Sequence, residues 1–255
     1  MFVFDTDILD PLLARSLTAD RRVEFIRESL VDLDQQLRAL GTEHGTAGVG
    51  LIVRHGRAQD VVPQLAQQLH VQAVFTNHDD EPAAQARDAQ VLGRLAHAGI
   101  VFHGHKDHVI FERREVLTQQ GHAYGVFTPY KNAWLRQLDD FQLKPYPVQR
   151  YAASLAPVPA PLAGPVPTLA DIGFAPTNLS QLPLPTGSRG AQTLFEDFAD
   201  RIERYHEARD FPAIKGPSYL SVHLRFGTIS IRQVAGVAYA MHLSLIHISE
   251  PTRPL

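Results

Sequence analysis

The 255-residue sequence contains no cysteine, one tryptophan and two methionines, and its formal net charge is only −3. The absence of cysteine excludes disulfides, thiolate metal ligands and cysteine nucleophiles, and it fits a reducing compartment. Because the net charge gives no general attraction to nucleic acid, any DNA binding has to depend on a local basic patch. The hydrophobic content of 44% is sufficient for a globular core.

Several common sequence signals are also missing. No segment has the apolar run that a membrane span needs, and the N-terminus MFVFDTDILD lacks the features of a signal peptide, so we expect a cytoplasmic protein without membrane association. Neither G-x-G-x-x-G after a strand nor G-x-x-x-x-G-K-[ST] occurs, which disfavours a standard dinucleotide dehydrogenase or a nucleoside triphosphatase. There is no G-x-S-x-G elbow for a serine nucleophile.

Residues 1–150 alternate between short β-rich runs and segments of helical periodicity. Such alternation predicts βαβ units and a doubly wound parallel sheet covered on both faces, an α/β domain. The predicted strands are MFVFDTDI, GLIVRHG (50–56), AVFTNH (73–78) and GIVFHGH (99–105), and the predicted helices cover 21–40, with Gly41 as the stop, 58–69 and 82–98.

The composition changes after Tyr151. Residues 151–190 hold eight of the 18 prolines, and because proline disfavours helix and sheet alike, 151–191 is interpreted as an extended linker laid against the domain surface. From 192 the pattern is helical, and 192–242 is interpreted as the start of a second, all-α domain. Its apolar stripe consists of Leu194, Phe195, Phe198, Ile202 and Tyr205, and a further helix from Ser230 to His242 begins with a serine cap signal.

Thirteen histidines raise the question of a metal site, above all His103, His105 and His108. His103 and His105 would share one face of a strand, but the spacing is not that of a recognised zinc motif, and we predict no metal site. Ser218 and Ser221 are predicted to lie in a helix instead of on a strand-to-helix turn. The residues therefore indicate neither a catalytic triad nor an acid–base pair.

Two strings resemble the DNA photolyase and cryptochrome family. They are GVFTPYKNAW (125–134) and GPSYLSVHLRFGTIS (216–230), and they occur in the order and with the intervening linker that this family has. The resemblance extends from Phe2 to about Met241. It implies a Rossmann-like α/β domain followed by a helical domain that binds flavin adenine dinucleotide (FAD).

In that family a pyrimidine dimer is flipped out of DNA over the flavin, and an electron from the light-excited reduced flavin splits the dimer. The resemblance therefore implies a deoxyribodipyrimidine photo-lyase, a carbon–carbon lyase whose partner is damaged DNA, and we expect a monomer. The cofactor carries the chemistry, which agrees with the missing acid–base residues. A second, antenna chromophore of folate or deazaflavin type stays unassigned, because Ala83 and Ala84 replace the Asn-Glu pair of some relatives.

The resemblance also implies roles for individual residues. The flavin's phosphates and ribityl chain would be held by Ser218, Tyr219, Leu220 and Ser221, with Tyr205 as the aromatic residue upstream, and Arg209 falls at the family's contact to a phosphate beside the lesion. Hydroxyls one turn apart near a helix N-terminus suit a pyrophosphate. The structural alternative is that Ser218 only caps a helix, Ser221 faces solvent, Tyr205 is core and Arg209 pairs with neighbouring acids. Pro217 replaces a threonine found in many relatives.

The ends of the sequence depart from the family pattern. The chain opens on what looks like the second strand, so that the first strand is missing, and residues 243–255 resemble translated sequencing adapter and are interpreted as a non-native tail. The lesion-facing and electron-relay tryptophans are absent, and we expect a fragment that is inactive alone. Two alternatives stay open: a cryptochrome-like blue-light photoreceptor, and a non-catalytic nucleotide-binding α/β module.

Overall fold

The computed structural model describes residues 1–249, and the side chains of residues 1–241. The chain forms two compact units. Unit 1 contains Met1–Asp107 and Pro147–Gly190, and unit 2 contains His108–Tyr146 and the chain from Ala191 onward. The division differs from the boundaries expected from the sequence, which placed 108–146 in the α/β domain.

Long-range hydrogen bonds explain why residues 108–146 belong to unit 2. The Nδ1 atom of His108 lies 3.1 Å from the carbonyl oxygen of Leu224. The Arg232 guanidinium donates to the carbonyls of Phe141 and Gln142, at 3.0 and 2.9 Å. These contacts join segments that are about 90 or more residues apart, and the local periodicity of the sequence gives no sign of them.

Unit 1 has the parallel strand pairs that the sequence predicts. Strand β1 (Phe2–Asp5) pairs in parallel with β2 (Val53–Gly56), and β3 (Ala73–Asn77) pairs in parallel with β4 (Val101–His105). The connecting helices are α1 (Thr6–Leu13), α2 (Arg21–Glu43), α3 (Ala58–Gln68) and α4 (Pro82–His97). The prediction of a parallel α/β fold is confirmed.

Helix α2 shows how local chemistry sets the element bounds. It begins after Asp20, whose carboxylate accepts from the backbone N–H of Arg22 at 2.8 Å, an N-cap. The prediction that Gly41 stops this helix is wrong, because α2 continues to Glu43. Gly41 is instead needed for close packing: a Cβ there would lie 2.6 Å from the Val49 side chain.

The proline-rich segment contributes side chains to the core of unit 1. Its backbone forms short 3-10 helices at Val148–Ser154, Ala160–Leu162, Ala170–Ile172 and Leu179–Gln181. Proline prevents longer elements there, but the apolar residues between the prolines are buried. Those packed in the same core as Phe4, Leu9, Val23 and Leu30 are Val166, Leu169, Ile172 and Phe174. The prediction that the helical pattern begins at 192 is wrong, because helix α7 (Gly187–Ala199) begins five residues earlier, within the proline-rich segment.

A second cluster in unit 1 covers β3 and β4. Helices α3 and α4 bury Ala66, Val91 and Leu95 against Ile100. The opposite face of this strand pair exposes Phe75, which is 67% accessible and stacks on His103 with ring centroids 4.9 Å apart. His103 and His105 therefore share one face of β4, as the strand register predicts.

Unit 2 is helical in the part of the chain that the structure describes. It contains α5 (Phe127–Gln137), α6 (Asp140–Leu143), α8 (Tyr205–Ala208), α9 (Ser221–Phe226) and α10 (Ile231–Ser249), together with the part of α7 (Gly187–Ala199) that begins at Ala191. Its core packs Ala191 and Phe195 against Leu220 and Ile229.

Helix α10 continues through the first residues of the segment interpreted as a non-native tail. It reaches Ser249, and residues 250–255 lie outside the described residues. Its first residue, Ile231, follows Ser230, whose carbonyl accepts from the N–H of Val234 at 3.1 Å. Within residues 1–249, none of the helices is long and apolar enough to cross a membrane.

Candidate functional site

The residues predicted to bind the cofactor and DNA all lie in unit 2. Tyr205 is the first residue of α8, and Arg209 is the residue that follows this helix. Ser218, Tyr219 and Leu220 form a non-helical segment, and Ser221 is the first residue of α9. These residues are held by two stretches of chain, which we call the α8 turn (Ile202–Arg209) and the phosphate segment (Lys215–Ser221).

The interpretation that Ser218 and Ser221 share a helix is wrong. Tyr219 adopts φ +57°, in the left-handed region, and a helix cannot pass through a residue in this conformation. Leu220 returns to the right-handed region at φ −84°, and α9 starts only at Ser221. A left-handed residue followed by a right-handed one turns successive backbone N–H groups toward one side of the chain, an arrangement that favours anions.

The side chains of the phosphate segment face different surroundings. Leu220 is 1% accessible and belongs to the core of unit 2, so only its backbone is available to a ligand. Tyr219 is 46% accessible, Ser221 is exposed, and Ser218 is half-buried. The Ser218 hydroxyl oxygen accepts from the N–H of Leu220 at 3.4 Å, a long hydrogen bond that stabilises the turn before α9.

At Gly216 the backbone of the phosphate segment packs closely against the backbone at the end of α8. A Cβ at this position would lie 2.6 Å from the carbonyl oxygen of Ala208 and 3.0 Å from the Cα of Arg209. Only glycine allows two backbones to approach so closely. The segment that carries the two serines is therefore packed directly against the turn that carries Tyr205 and Arg209.

The side chain of Arg201 binds the backbone carbonyls of the phosphate segment. Its NH1 group donates to the carbonyls of Lys215 and Gly216, at 2.6 and 2.8 Å, and its NH2 group donates to the carbonyl of Pro217 at 2.9 Å. Its Nε and NH2 groups also donate to the Asp197 carboxylate, at 3.2 and 3.0 Å. The side chain is only 14% accessible. Sequence analysis did not identify this residue.

Two aromatic rings, those of Phe198 and Tyr219, lie close to the same guanidinium. The Arg201 guanidinium carbon lies 5.3 Å from the ring centroid of Phe198 and 5.9 Å from that of Tyr219, distances at which cation–π attraction operates. Phe198 in turn meets Tyr205 edge to face, with centroids 5.9 Å apart. One cation thus contacts the phosphate segment and the aromatic residue on which Tyr205 packs.

Tyr205 and Arg209 are neighbours on the α8 turn, as their spacing predicts. The N–H of Arg209 donates to the carbonyl of Tyr205 at 3.0 Å, and the guanidinium lies 5.9 Å from the Tyr205 ring centroid. Tyr205 is 39% accessible and so is not a core residue. The Arg209 guanidinium is 3.7 Å from the carboxylate of Asp210, an exposed pair of the kind that contributes about 0–1 kcal/mol.

Asp197 is the anionic centre beneath the phosphate segment. The Lys215 ammonium lies 2.7 Å from one of its oxygens and Arg201 binds the other. Hydrogen bonds from Lys215 and then from Arg201 hold the pKa of the Asp197 carboxyl below its ordinary value. The carboxylate therefore stays ionised at neutral pH and neutralises part of the charge of two cations.

The histidines of unit 1 do not form a metal centre in the part of the chain that the structure describes. Among residues 1–241, whose side chains the structure describes, neither they nor other His, Asp or Glu residues form a group of three that could hold a metal ion. His103 and His105 stack on Phe75, with His105 5.9 Å from its ring centroid, while His108 belongs to unit 2.

Comparison with known proteins adds independent information. The family model described as DNA photolyase matches residues 1–152. The deoxyribodipyrimidine photo-lyase of Synechococcus is 33% identical over 246 residues, which are 92% of this chain and 47% of that protein. That of Halobacterium salinarum is 33% identical over 243 residues, with coverages of 94% and 47%. This chain spans about half the length of these curated relatives.

More distant proteins share the fold. An archaeal photolyase from Sulfolobus tokodaii, whose crystal structure contains two FAD molecules, superimposes with a TM-score of 0.66 at 24% identity, covering 95% of this chain and 47% of that one. Cryptochrome-1 of Spalax judaei is 25% identical over 245 residues, covering 88% of this chain and 39% of that protein.

We expect the ion pairs of Asp197 with Arg201 and Lys215 to contribute to the free energy of unfolding in a way that acid removes. The folded-state pKa is lowered, so the contribution is fully present above the unfolded-state pKa, about 3.9, and is lost as the pH falls through the folded value. We expect Asp197→Asn to lower the melting temperature at about pH 7 and the difference from wild type to shrink toward about pH 3. Asp200→Asn, at an exposed position of the same helix end, is the control. A difference that is constant over this range would contradict the assignment.

Proposed function

This chain belongs to the DNA photolyase family, and we propose that the protein carrying it repairs cyclobutane pyrimidine dimers in DNA by electron transfer from light-excited reduced FAD. The observation that carries the proposal is the packing of the phosphate segment on the α8 turn. This packing collects Tyr205, Arg209, Ser218 and Ser221 in one part of unit 2, although the two stretches are separate in sequence. The likeness to two deoxyribodipyrimidine photo-lyases over more than nine-tenths of the chain supports the same conclusion.

The residues present fit a cofactor that has a diphosphate and an aromatic ring system. Ser218 and Ser221 offer hydroxyl groups. The left-handed then right-handed backbone at Tyr219 and Leu220 turns N–H groups toward one side of the chain, where the N–H of Leu220 is bound by the Ser218 hydroxyl and those of Tyr219 and Ser221 can donate to an anion. The half-exposed ring of Tyr205 can pack against the flavin side of the site. FAD, when bound, would supply the electron, and the protein residues would bind and orient it and exclude water.

Arg209 is proposed to contact the DNA backbone. Its guanidinium is exposed, and among the residues whose side chains the structure describes its one ionic neighbour is the exposed carboxylate of Asp210. A guanidinium in this position can pair with a phosphate beside a flipped lesion and so position DNA without reading its sequence. Because the chain's net charge is −3, such local contacts have to provide the attraction to DNA.

Three further attributes belong to the proposal. A monomer and a cytoplasmic location are proposed, the latter because a chain without cysteine suits a reducing compartment. An antenna chromophore of folate or deazaflavin type is proposed for unit 1 without assigned residues.

A cryptochrome-like photoreceptor is the second candidate, favoured by the 25% identity to a cryptochrome-1. The two functions differ in outcome: both need flavin, and only the photolyase converts the lesion. The sequence identities, 33% against 25%, favour the photolyase.

Light-dependent repair tests the proposed function. We expect the protein from the longest open reading frame that encodes this chain, loaded with FAD and reduced, to restore dimer-containing oligonucleotides under blue light, because the reduced flavin donates its electron only when excited. Loss of the dimer can be followed by chromatography, with a sample kept in darkness as the control. A protein that retains flavin and leaves the dimer intact under illumination would favour the photoreceptor instead.

Arg209→Ala tests the proposed DNA contact in the same protein. We expect binding to dimer-containing DNA to weaken by about tenfold and the slope of log affinity against log salt to fall by roughly one phosphate contact, with flavin content unchanged. The control is Arg204→Ala, which removes an exposed arginine five residues earlier. If lesion affinity and its salt slope equal those of wild type, Arg209 is only a solvated surface residue.

A further inference from the structure

Arg201 is a half-buried cation whose role no sequence motif suggests. A guanidinium has five N–H donors in a fixed planar fork. The hydrogen bonds of Arg201 use all of them: one from Nε and one from NH2 to Asp197, two from NH1 to Lys215 and Gly216, and one from NH2 to Pro217. With no donor left over, Arg201 cannot also bind a ligand phosphate in this arrangement.

We propose that Arg201 is a positioning residue that fixes the backbone of the phosphate segment in the conformation that receives the diphosphate of the flavin. The inference rests on the proposed function and deepens it. Arg201 acts through the chain it holds, because its contacts are three consecutive carbonyls of that chain and a carboxylate beneath it.

Peptide geometry determines the direction of the N–H groups that follow the carbonyls bound by Arg201. In a trans peptide the C=O and the following N–H point in opposite directions. The Pro217 carbonyl points to Arg201, so the N–H of Ser218 points away from it. Among the peptides that Arg201 holds, this is the one whose N–H is turned to the opposite side, because Pro217 has no N–H and the N–H of Gly216 donates to the carbonyl of Ile214 at 2.7 Å.

The backbone conformation of this segment has to be stabilised by contacts from outside the segment. Tyr219 is a bulky residue at φ +57°, a conformation that is unfavourable unless the surroundings impose it. The segment before α9 has no regular secondary structure from Gly216 to Leu220 that would do so. Arg201 supplies the hold on both sides of Ser218, through the Pro217 carbonyl and through the Tyr219 ring, whose centroid lies 5.9 Å from the guanidinium carbon.

The proposal predicts that lysine cannot replace Arg201. Lysine keeps the positive charge, but its single ammonium has three donors and no fork, so it cannot serve three carbonyls and Asp197 together. Arg201→Lys should therefore release the phosphate segment while leaving a cation near Asp197. The release should weaken the binding of ligands that carry the diphosphate and should spare ligands that lack it.

The test compares FAD and riboflavin binding to the protein from the longest open reading frame that encodes this chain. In Arg201→Lys we expect the Kd for FAD to rise about tenfold or more, since hydrogen bonds to a charged group are each worth about a factor of ten, and the Kd for riboflavin to change less than about twofold. Flavin fluorescence titration measures both. Arg204→Lys, the same substitution at an exposed arginine of the α8 turn, is expected to alter neither.

A second variant keeps the test decisive if Arg201→Lys does not fold. Asp197→Asn retains an acceptor for the guanidinium but removes the charge that orients it, and we expect a loss of about threefold in FAD affinity without loss of riboflavin affinity. Equal losses for FAD and riboflavin, or no loss for either, in the folded variants would overturn the role of Arg201. A wild-type protein that binds no FAD would overturn the proposed function and this inference with it, whereas tight FAD binding that neither variant changes would overturn the inference alone.

Discussion

The candidate site depends on one half-buried guanidinium that donates hydrogen bonds to the backbone carbonyls of an irregular segment. Arg201 satisfies three successive carbonyls, at Lys215, Gly216 and Pro217, that have no helix or sheet in which to be paired. Because those carbonyls are fixed, the chain can pass through Tyr219 in a left-handed conformation and enter α9 at Ser221. The close approach of Gly216 to Ala208 then places this segment against the α8 turn.

Unit 1 also contains an irregular segment, but there burial of apolar side chains holds the chain in place. Its proline-rich segment cannot form long helices or strands, yet it places four apolar side chains in the core, among them Ile172, which is 1% accessible. A chain without regular structure is therefore ordered by burial in unit 1, whereas the phosphate segment of unit 2 is ordered mainly by a cation. The second arrangement leaves the outer side of the segment polar, as a site for an anionic cofactor requires.

The periodic parts of the chain could be predicted and the irregular parts could not. Strands such as Ala73–Asn77 and helices such as Ala58–Gln68 follow from apolar spacing, because each buries one face and the period of its apolar residues marks that face. The start of α9 at Ser221 could not be predicted, because helical periodicity does not record the left-handed conformation of Tyr219. Arg201 was missed because its acceptors are backbone carbonyls 14 to 16 residues away, which no side-chain motif records. Its position midway between Asp197 and Tyr205, four residues from each, was the one available signal.

We propose that Ser218, Tyr219 and Ser221 face the diphosphate of FAD. Amide hydrogen exchange with and without FAD, in the protein from the longest open reading frame that encodes this chain, tests it most directly because it reports on each backbone N–H. We expect FAD to slow exchange at these three amides and to leave the amides of α2 unchanged. Protection that is absent from the phosphate segment, or that FAD confers only on unit 1, would contradict it.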